Sequence, residues 1–510
     1  MNGNDIFFWL LCVGVVILLS ALLRIGFICI SKGQAVDHHY WVLAARAYRS
    51  QEGLPVRMPG KYILEDDRQA YPFGFGWFLS VFSESFLRSS KSIFLIFLID
   101  FLTMSLVLSS SLLIGMKPVG VLGVLLVYGF APVIVAYNTQ LTSRGLGNLM
   151  LVVTLFAQVA AAADTGFLAM AFCLVGVITL AGVFVTHKMT TQFFLFLWPF
   201  WPFALASLGD YGALIGLITP FAALALITGI TGFRYQALQW RAHWDIVTFW
   251  ARNWRFLGAH PFRHSPLYGD PECSKPNLFH GKGLTGIFRH AKVLLSYLPL
   301  AFLLPITLLF ISPPPTFIFV WFFVALMASV LTLFLPFFKC LGGGHLYLFN
   351  AVTPAALWWG FALSEDVYSY PVLAIFFLGL GITVLSLVLG AHRRFSRPSF
   401  KDEDAFALID RLSRESFTRV AVFPYTFADQ VALETEHAVF WGAHSLGFRT
   451  IEPYFPVMRK PVGHSLRSWN VTCAVLDLDF WPEGASVFAL ETGDANPERY
   501  GRFALYKVKP

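Results

Sequence analysis

The run IFFWLLCVGVVILLSALLRIGFICI at residues 6–30 is followed, after SKGQAV, by Asp37-His38-His39-Tyr40. A bilayer core takes about 20 apolar residues of helix, so the run reads as a membrane span. It is longer than a signal-peptide core and lacks a basic start and a small-residue cleavage site, which makes it a retained helix. An ionisable cluster just past its end sits at the membrane surface, where a carboxylate stays charged and reaches both lipid and water.

The rest of the chain agrees. Of 510 residues, 56% are hydrophobic and 13% charged, and the mean hydropathy is +0.64, values of a polytopic membrane protein. The 53 Phe and 15 Trp suit lipid-facing surfaces and headgroup-level belts. The net charge of +7 does not indicate nucleic acid, because most basic residues lie in two loops and the tail beside apolar spans. Anionic lipid or a phosphate-bearing substrate fits better. Cys12, Cys29 and Cys173 fall inside apolar runs, and Cys273, Cys340 and Cys473 are far apart, so neither a disulfide framework nor zinc spacing is present.

Spans are expected near residues 6–30, 92–114, 117–137, 145–163, 167–186, 189–207 and 211–232, then near 292–311, 315–338, 345–363 and 370–391. That makes a mainly α bundle of about eleven helices. Tyr71 to Leu87, interrupted by Pro72, Gly74 and Gly76, reads as an interfacial helix. Even span counts place residues 31–91, residues 233–291 and the tail on one face, so chemistry is expected there. The tail, residues 392–510 against a membrane domain of residues 1–391, reads as a small α/β domain. Its strands are expected at Arg419–Phe423, Val471–Asp477 and Arg502–Lys509, with a helix at Ala428–His437. Arg234, Arg241, Arg252, Arg255, Arg263, Lys275, Lys282 and Arg289 in the second loop would make this face cytoplasmic. Asp164, Asp210, Glu365 and Asp366 in the opposite turns strengthen that bias, against the single Lys117.

Asp37 can act as a general base toward an acceptor hydroxyl or merely cap the helix that follows it. Val42 to Gln51 sets Leu43, Ala47 and Tyr48 against Arg46, Arg49 and Gln51, an amphipathic pattern. Glu65-Asp66-Asp67-Arg68 can hold a divalent cation such as Mg²⁺ or Mn²⁺, or form a solvated turn. Thr142-Ser143-Arg144-Gly145 and Thr186-His187-Lys188 close short connections on the same face; their cations suit phosphate, or snorkel at helix ends. Gly342-Gly343-Gly344-His345 is an anion loop or an ordinary one. Trp240, Trp244, Trp250 and Trp254 among arginines form a headgroup belt, or a lid over a lipid-linked substrate.

Taken together, Asp37 after the first span, Glu52-Gly53-Leu54-Pro55-Val56, and Tyr71-Pro72-Phe73-Gly74-Phe75-Gly76 resemble the first external loop of GT-C fold glycosyltransferases. Thr142-Ser143-Arg144-Gly145-Leu146-Gly147 and Thr186-His187-Lys188 are similar to the loops that follow. Val439-Phe440-Trp441-Gly442-Ala443-His444 and Phe455-Pro456-Val457-Met458-Arg459-Lys460-Pro461 resemble the soluble domain that ends many bacterial members. The resemblance implies an inner-membrane enzyme moving a sugar from a polyprenyl-phosphate carrier to a lipid, glycan or protein acceptor. The active face and the tail would be periplasmic. It implies Asp37 as catalytic base and Arg144, His187 and Lys188 as contacts to the donor phosphate, with His345 at the place of a further one; from the residues themselves His38, Asp66 and Asp67 read as acceptor or carboxylate support. His345 stands where the family carries a basic residue, and the second external loop lacks an Asp-x-Asp pair. The alternatives are a flippase for lipid-linked saccharides, which calls for repeated halves and midplane ionisable residues, and a non-catalytic partner in cell-envelope glycan assembly.

Overall fold

Lipid offers backbone groups no partners, so the apolar runs must close their hydrogen bonds within helices. The computed structural model describes residues 3–31, 36–51, 53–54, 58, 61–63, 71–257, 283–365, 370–395, 403–416, 418–424, 427–442, 452, 460–479, 481–482 and 484–509. The first span is α1 (Gly3–Ser31), followed by α2 (Val36–Ser50), α3 (Gly74–Ser80) and α4 (Glu84–Arg88). The bundle continues with α5 (Ile93–Leu113), α6 (Pro118–Gly129), α7 (Pro132–Tyr137), α8 (Arg144–Ala163), α9 (Phe167–Thr186), α10 (Lys188–Leu197), α11 (Trp201–Ala206) and α12 (Gly212–Thr231). After α13 (Phe233–Leu257) come α14 (Gly283–Tyr297), α15 (Pro299–Thr307), α16 (Thr316–Phe334), α17 (Gly344–Glu365) and α18 (Tyr370–Phe395).

Among the described residues, nine segments are long and apolar enough to cross a membrane, or ten when α14 and α15 count as one bent span. Two of the expected spans are broken. The segment near residues 189–207 divides into α10 and α11, because Pro199 and Pro202 remove backbone donors, and Pro202 serves in the first turn of α11. The segment near residues 292–311 bends by 90° at Leu298, before Pro299 opens α15. The interfacial helix expected over Tyr71–Leu87 is likewise two short helices. The first ends at Ser80 with Val81 as its C-cap, and Ser83 caps the second, accepting from Phe86 N at 3.3 Å.

The bundle core is aromatic. Trp201, Trp321, Trp358 and Trp359 are fully buried, and Trp201 Nε1 donates to Gln158 Oε1 at 2.6 Å. Deeper charge is paired: Arg24 Nε meets Asp100 Oδ2 at 2.5 Å, and Tyr128 donates to the other carboxylate oxygen at 3.1 Å. Arg24 also donates to Gly129 O at 2.5 Å, so the pair joins α1, α5 and α6 with its hydrogen-bonding capacity in use.

Beyond α18 the chain builds a five-stranded sheet. Its strands are β1 (Arg419–Phe423), β2 (Ala438–Val439), β3 (Cys473–Asp477), β4 (Glu498–Tyr500) and β5 (Phe503–Lys507), in the order β2-β1-β3-β5-β4. β1 lies parallel to β2 and β3, whereas β5 is antiparallel to β3 and β4. Around the sheet stand α19 (Glu403–Ser413), α20 (Ala428–Glu434), α21 (Val462–Ser468) and α22 (Gly484–Thr492).

This sheet is fastened to the first loop. Residues 61–63 extend its β2 edge: Ile63 N donates to Val439 O at 2.8 Å and Val439 N to Lys61 O at 2.9 Å. The strand edge is thereby covered by the protein's own chain. Tyr62 donates to Asp429 Oδ1 at 2.7 Å, and Lys61 Nζ to Thr435 O at 2.7 Å. α2 lies between α3 and α20, so Tyr40 through Ala45 are all buried. The helix is covered on two sides, where its sequence suggests one apolar stripe.

An ionic chain ties α2, α4 and α20 together. Arg46 grips Glu84 through two hydrogen bonds of 3.0 and 2.7 Å, and Arg88 bridges Glu84 at 3.0 Å to Glu434 at 2.7 Å. The Arg46 hydrogen bond holds the Glu84 carboxyl down at about 2. A depressed carboxylate stabilises the folded arrangement above its ordinary value of 4.5, and that contribution is lost as pH falls toward 2. Hydrogen exchange in residues 61–63 and 428–439 should therefore rise as pH is lowered through this window, beyond the change in intrinsic exchange. In Glu84→Gln it should already be raised at pH 7.

Candidate active site

Up-and-down packing puts the N-termini of α8, α10 and α17 on the face that carries α2. Each opens on a residue singled out in the sequence: Arg144 is the first residue of α8, Lys188 the first of α10, and His345 the second of α17. A helix N-terminus carries about half a positive charge, which repels a cation placed there and favours an anion.

Arg144 and Lys188 meet around Tyr71, in the segment that leads into α3. Lys188 Nζ stands 5.2 Å from the Tyr71 ring centroid. Ser143 hydrogen-bonds the Tyr71 hydroxyl, and both Asp37 and Arg144 act on it electrostatically. Burial pushes that hydroxyl up to about 12; Asp37 adds to the rise, while Ser143 and Arg144 oppose it. Tyr71 therefore stays protonated at neutral pH with a carboxylate and two cations around it. Its motif in the sequence assigns it no role; the available signal is an aromatic hydroxyl directly before the Pro that leads into a short helix.

Arg144 lies over the Tyr137 ring at 4.5 Å. Its Nε and Nη1 are buried without hydrogen-bond partners among the described residues. His345 is placed by stacking, 5.8 Å from Tyr137 and 5.3 Å from Tyr297. The preceding glycines answer to packing: a Cβ on Gly344 would come within 2.4 Å of Ser329 O. The ordinary-loop reading of the glycine run thus has a physical cause, a close approach of α17 to α16.

Asp37 sits in the first turn of α2, where its negative charge is favourable. His38 turns away from the cluster; its ring hydrogen-bonds the Leu87 backbone and meets His39 edge-on at 5.7 Å. Burial lowers the His38 pKa, and burial with His38 and Arg88 nearby lowers that of His39 to about 4. His187 acts as a helix cap. Its Nδ1 accepts from Thr190 N at 3.3 Å and pairs with Thr190 Oγ1 at 2.8 Å, joining α9 to α10. Gly147 makes room for it, since a Cβ there would fall 2.7 Å from His187 Cβ. Asp66 and Asp67 lie outside the described residues. Among the described residues no three His, Cys, Asp or Glu side chains converge as a metal-binding group.

α13, from the basic loop, covers this cluster. Gln239 Nε2 donates to Tyr71 O at 3.3 Å, and Trp240 meets Phe184 of α9 at 6.3 Å. Burial, with Lys188 beside it, lowers the His243 pKa to about 4. A cleft of about 20 Å³ remains among Lys188, Phe184, Gln239, Trp240 and His243. The larger hollow, about 510 Å³, is lined by residues 308–312 and Glu365 at the other end of the bundle, and no cation faces it among those residues.

No family model matches the sequence, and no curated protein matches it. Among solved structures the chain is similar to ArnT from Cupriavidus metallidurans bound to undecaprenyl phosphate. The TM-score is 0.56 at 12% identity, over 97% of this chain and 98% of that one. The apo state of the same protein gives a TM-score of 0.54 at 11% identity, over 98% of each chain. At this identity the likeness concerns the fold, which is of GT-C type, in an integral membrane protein.

Two stability effects follow from the geometry. Arg144→Met should raise the thermal midpoint of ligand-free protein in detergent, because it removes a desolvated cation from a helix N-terminus. Gly147→Ala should lower the same midpoint, by about 1–3 kcal/mol of stability, as the new methyl displaces His187.

Proposed function

We propose that this protein is a glycosyltransferase that moves a sugar from a polyprenyl-phosphate donor to a hydroxyl on an extracytoplasmic lipid, glycan or protein acceptor. One observation carries the reading: Arg144 and Lys188, each at the start of a helix, meet at Tyr71 on the side where Asp37 acts on the same hydroxyl. Cations at helix N-termini are unfavourable unless an anion joins them, and a lipid phosphate supplies one. The likeness to a solved fold bound to undecaprenyl phosphate supports the choice of carrier.

In the mechanism, Asp37 takes the proton of the acceptor hydroxyl as its oxygen attacks the anomeric carbon of the sugar. The bond from that carbon to the phosphate oxygen breaks, and its electron pair leaves with the polyprenyl phosphate. Arg144 and Lys188 stabilise the negative charge that develops there, with His345 supporting Arg144 through the Tyr137 stack. His187 contributes by holding the start of α10. The transferred group is a hexose or a pentose. A Mg²⁺ or Mn²⁺ held through Asp66 and Asp67 would further neutralise the phosphate, and transfer measured in EDTA tests that requirement.

The active face is periplasmic in this reading, at a bacterial inner membrane, against the charge bias of the second loop. Part of that loop is the ordered helix α13, and its Arg252 pairs with Glu452 at 3.0 Å. Its basic residues are thus partly engaged with the soluble domain, which weakens them as orientation signals.

Purified protein given labelled polyprenyl-phosphate sugar tests the assignment. Asp37→Asn should lower transfer by about 10²–10⁴-fold and leave polyprenyl phosphate binding unchanged. Arg144→Gln or Lys188→Gln should weaken that binding by about tenfold or more. Movement of lipid-linked saccharide across vesicles without transfer would replace the enzyme reading with the flippase one.

A further inference from the structure

The cleft beside Lys188 is not used by the steps above. One face of α13 supplies Gln236, Gln239, Trp240 and His243 at helical spacing toward α9 and α10. The Gln236 amide is engaged, donating to Thr231 Oγ1 at 2.8 Å. Gln239 is only 8% exposed. Its Nε2 is bound to Tyr71 O, while its Oε1 is buried without a partner among the described residues. A buried acceptor in this state costs stability until a donor reaches it.

The surroundings restrict what that donor can be. The volume, about 20 Å³, admits one water-sized group. His243 is unprotonated at neutral pH and so offers an acceptor as well. Lys188 on the same wall repels a second positive charge. Phe184 and Trp240, edge to face, give an apolar border against which the C–H face of a sugar can lie. A neutral hydroxyl meets all four conditions, whereas an ammonium group meets the acceptors and opposes Lys188.

We infer that this cleft is a specificity pocket that receives one hydroxyl of the transferred sugar, with Gln239 Oε1 as its acceptor, and that it disfavours an amino group at the same position. The inference rests on the glycosyltransferase reading and narrows its substrate class to neutral, hydroxylated sugars. Gln239 is here a specificity residue, apart from the reacting atoms.

The test compares a polyprenyl-phosphate hexose with its singly deoxygenated and singly aminated analogues. Wild type should favour the hexose over both. Gln239→Leu should lower kcat/KM for the hexose by about tenfold, as expected for one lost hydrogen bond, and leave the best deoxy analogue unaffected by comparison. Gln239→Glu should shift the preference toward the aminated donor. Both substitutions lose the Nε2 contact to Tyr71, so a loss they share reports that contact and a change in donor preference reports the group facing the cleft, while thermal midpoints check folding. Equal loss for all three donors would mark Gln239 as structural and overturn the pocket, as would selectivity that follows the acceptor and not the donor. If wild type transfers none of the donors, the transferase reading fails first. The pocket then fails too if the polyprenyl-phosphate hexose binds no tighter than polyprenyl phosphate alone.

Discussion

Positive charge at the start of a helix is the constraint around which this face of the protein is organised. In a bundle whose spans alternate in direction, every second helix begins on the same face, so exposed backbone N–H groups accumulate there. An ordinary arrangement would neutralise them with acidic side chains. Here Arg144 and Lys188 add to the charge instead, and among the first turns of α2, α8, α10 and α17 only α2 presents a carboxylate, that of Asp37. The aromatic rings of Tyr71 and Tyr137 make this tolerable by giving each cation a π face. They also keep the carboxylate and the cations around a shared hydroxyl.

Holding those groups in place requires the first loop to be rigid, and its apolar side chains, among them Tyr40, Trp41, Phe75 and Leu87, need more cover than the bundle gives. The soluble sheet supplies the missing partner. Residues 61–63 lie along β2, Tyr62 reaches the buried Asp429, and α2 fills the space between α3 and α20. The position of the Asp37 helix therefore depends on packing from both the bundle and the sheet, which explains why a helix with charged and amide side chains near its end is buried along its middle.

The sequence signals divide according to how local their physics is. Long apolar runs declare the spans because backbone satisfaction in lipid is a local requirement. Short apolar runs likewise mark β1 and β3, which are buried on both faces of the sheet. The breaks at Pro199 and at Leu298-Pro299 are hidden by averaging hydropathy, although the prolines themselves are legible. Asp37, Arg144, Lys188 and His345 are singled out by their position at span ends. Tyr71 as the meeting point of the first three, Gln239 against it and the pairing of residue 62 with Val439 are not, because each depends on contacts between segments far apart in the chain. His187 carries a local signal as well, since its spacing to Thr190 is that of a helix cap.

α13 joins these two levels of organisation. Gln239 and His243 face the cluster at Tyr71 and Lys188, while Phe249 is buried in the same apolar core as Ala421, Phe423 and Leu476 of the sheet. From His243 to Phe249 is about 9 Å along one continuous helix. A helix that short between two packed anchors bends little, so the wall over Lys188 cannot shift without disturbing the sheet's core. The soluble domain is thereby mechanically part of the site through two independent routes, α2 on one side and α13 on the other. A displacement of the sheet would have to move the carboxylate and the roof over the cations together.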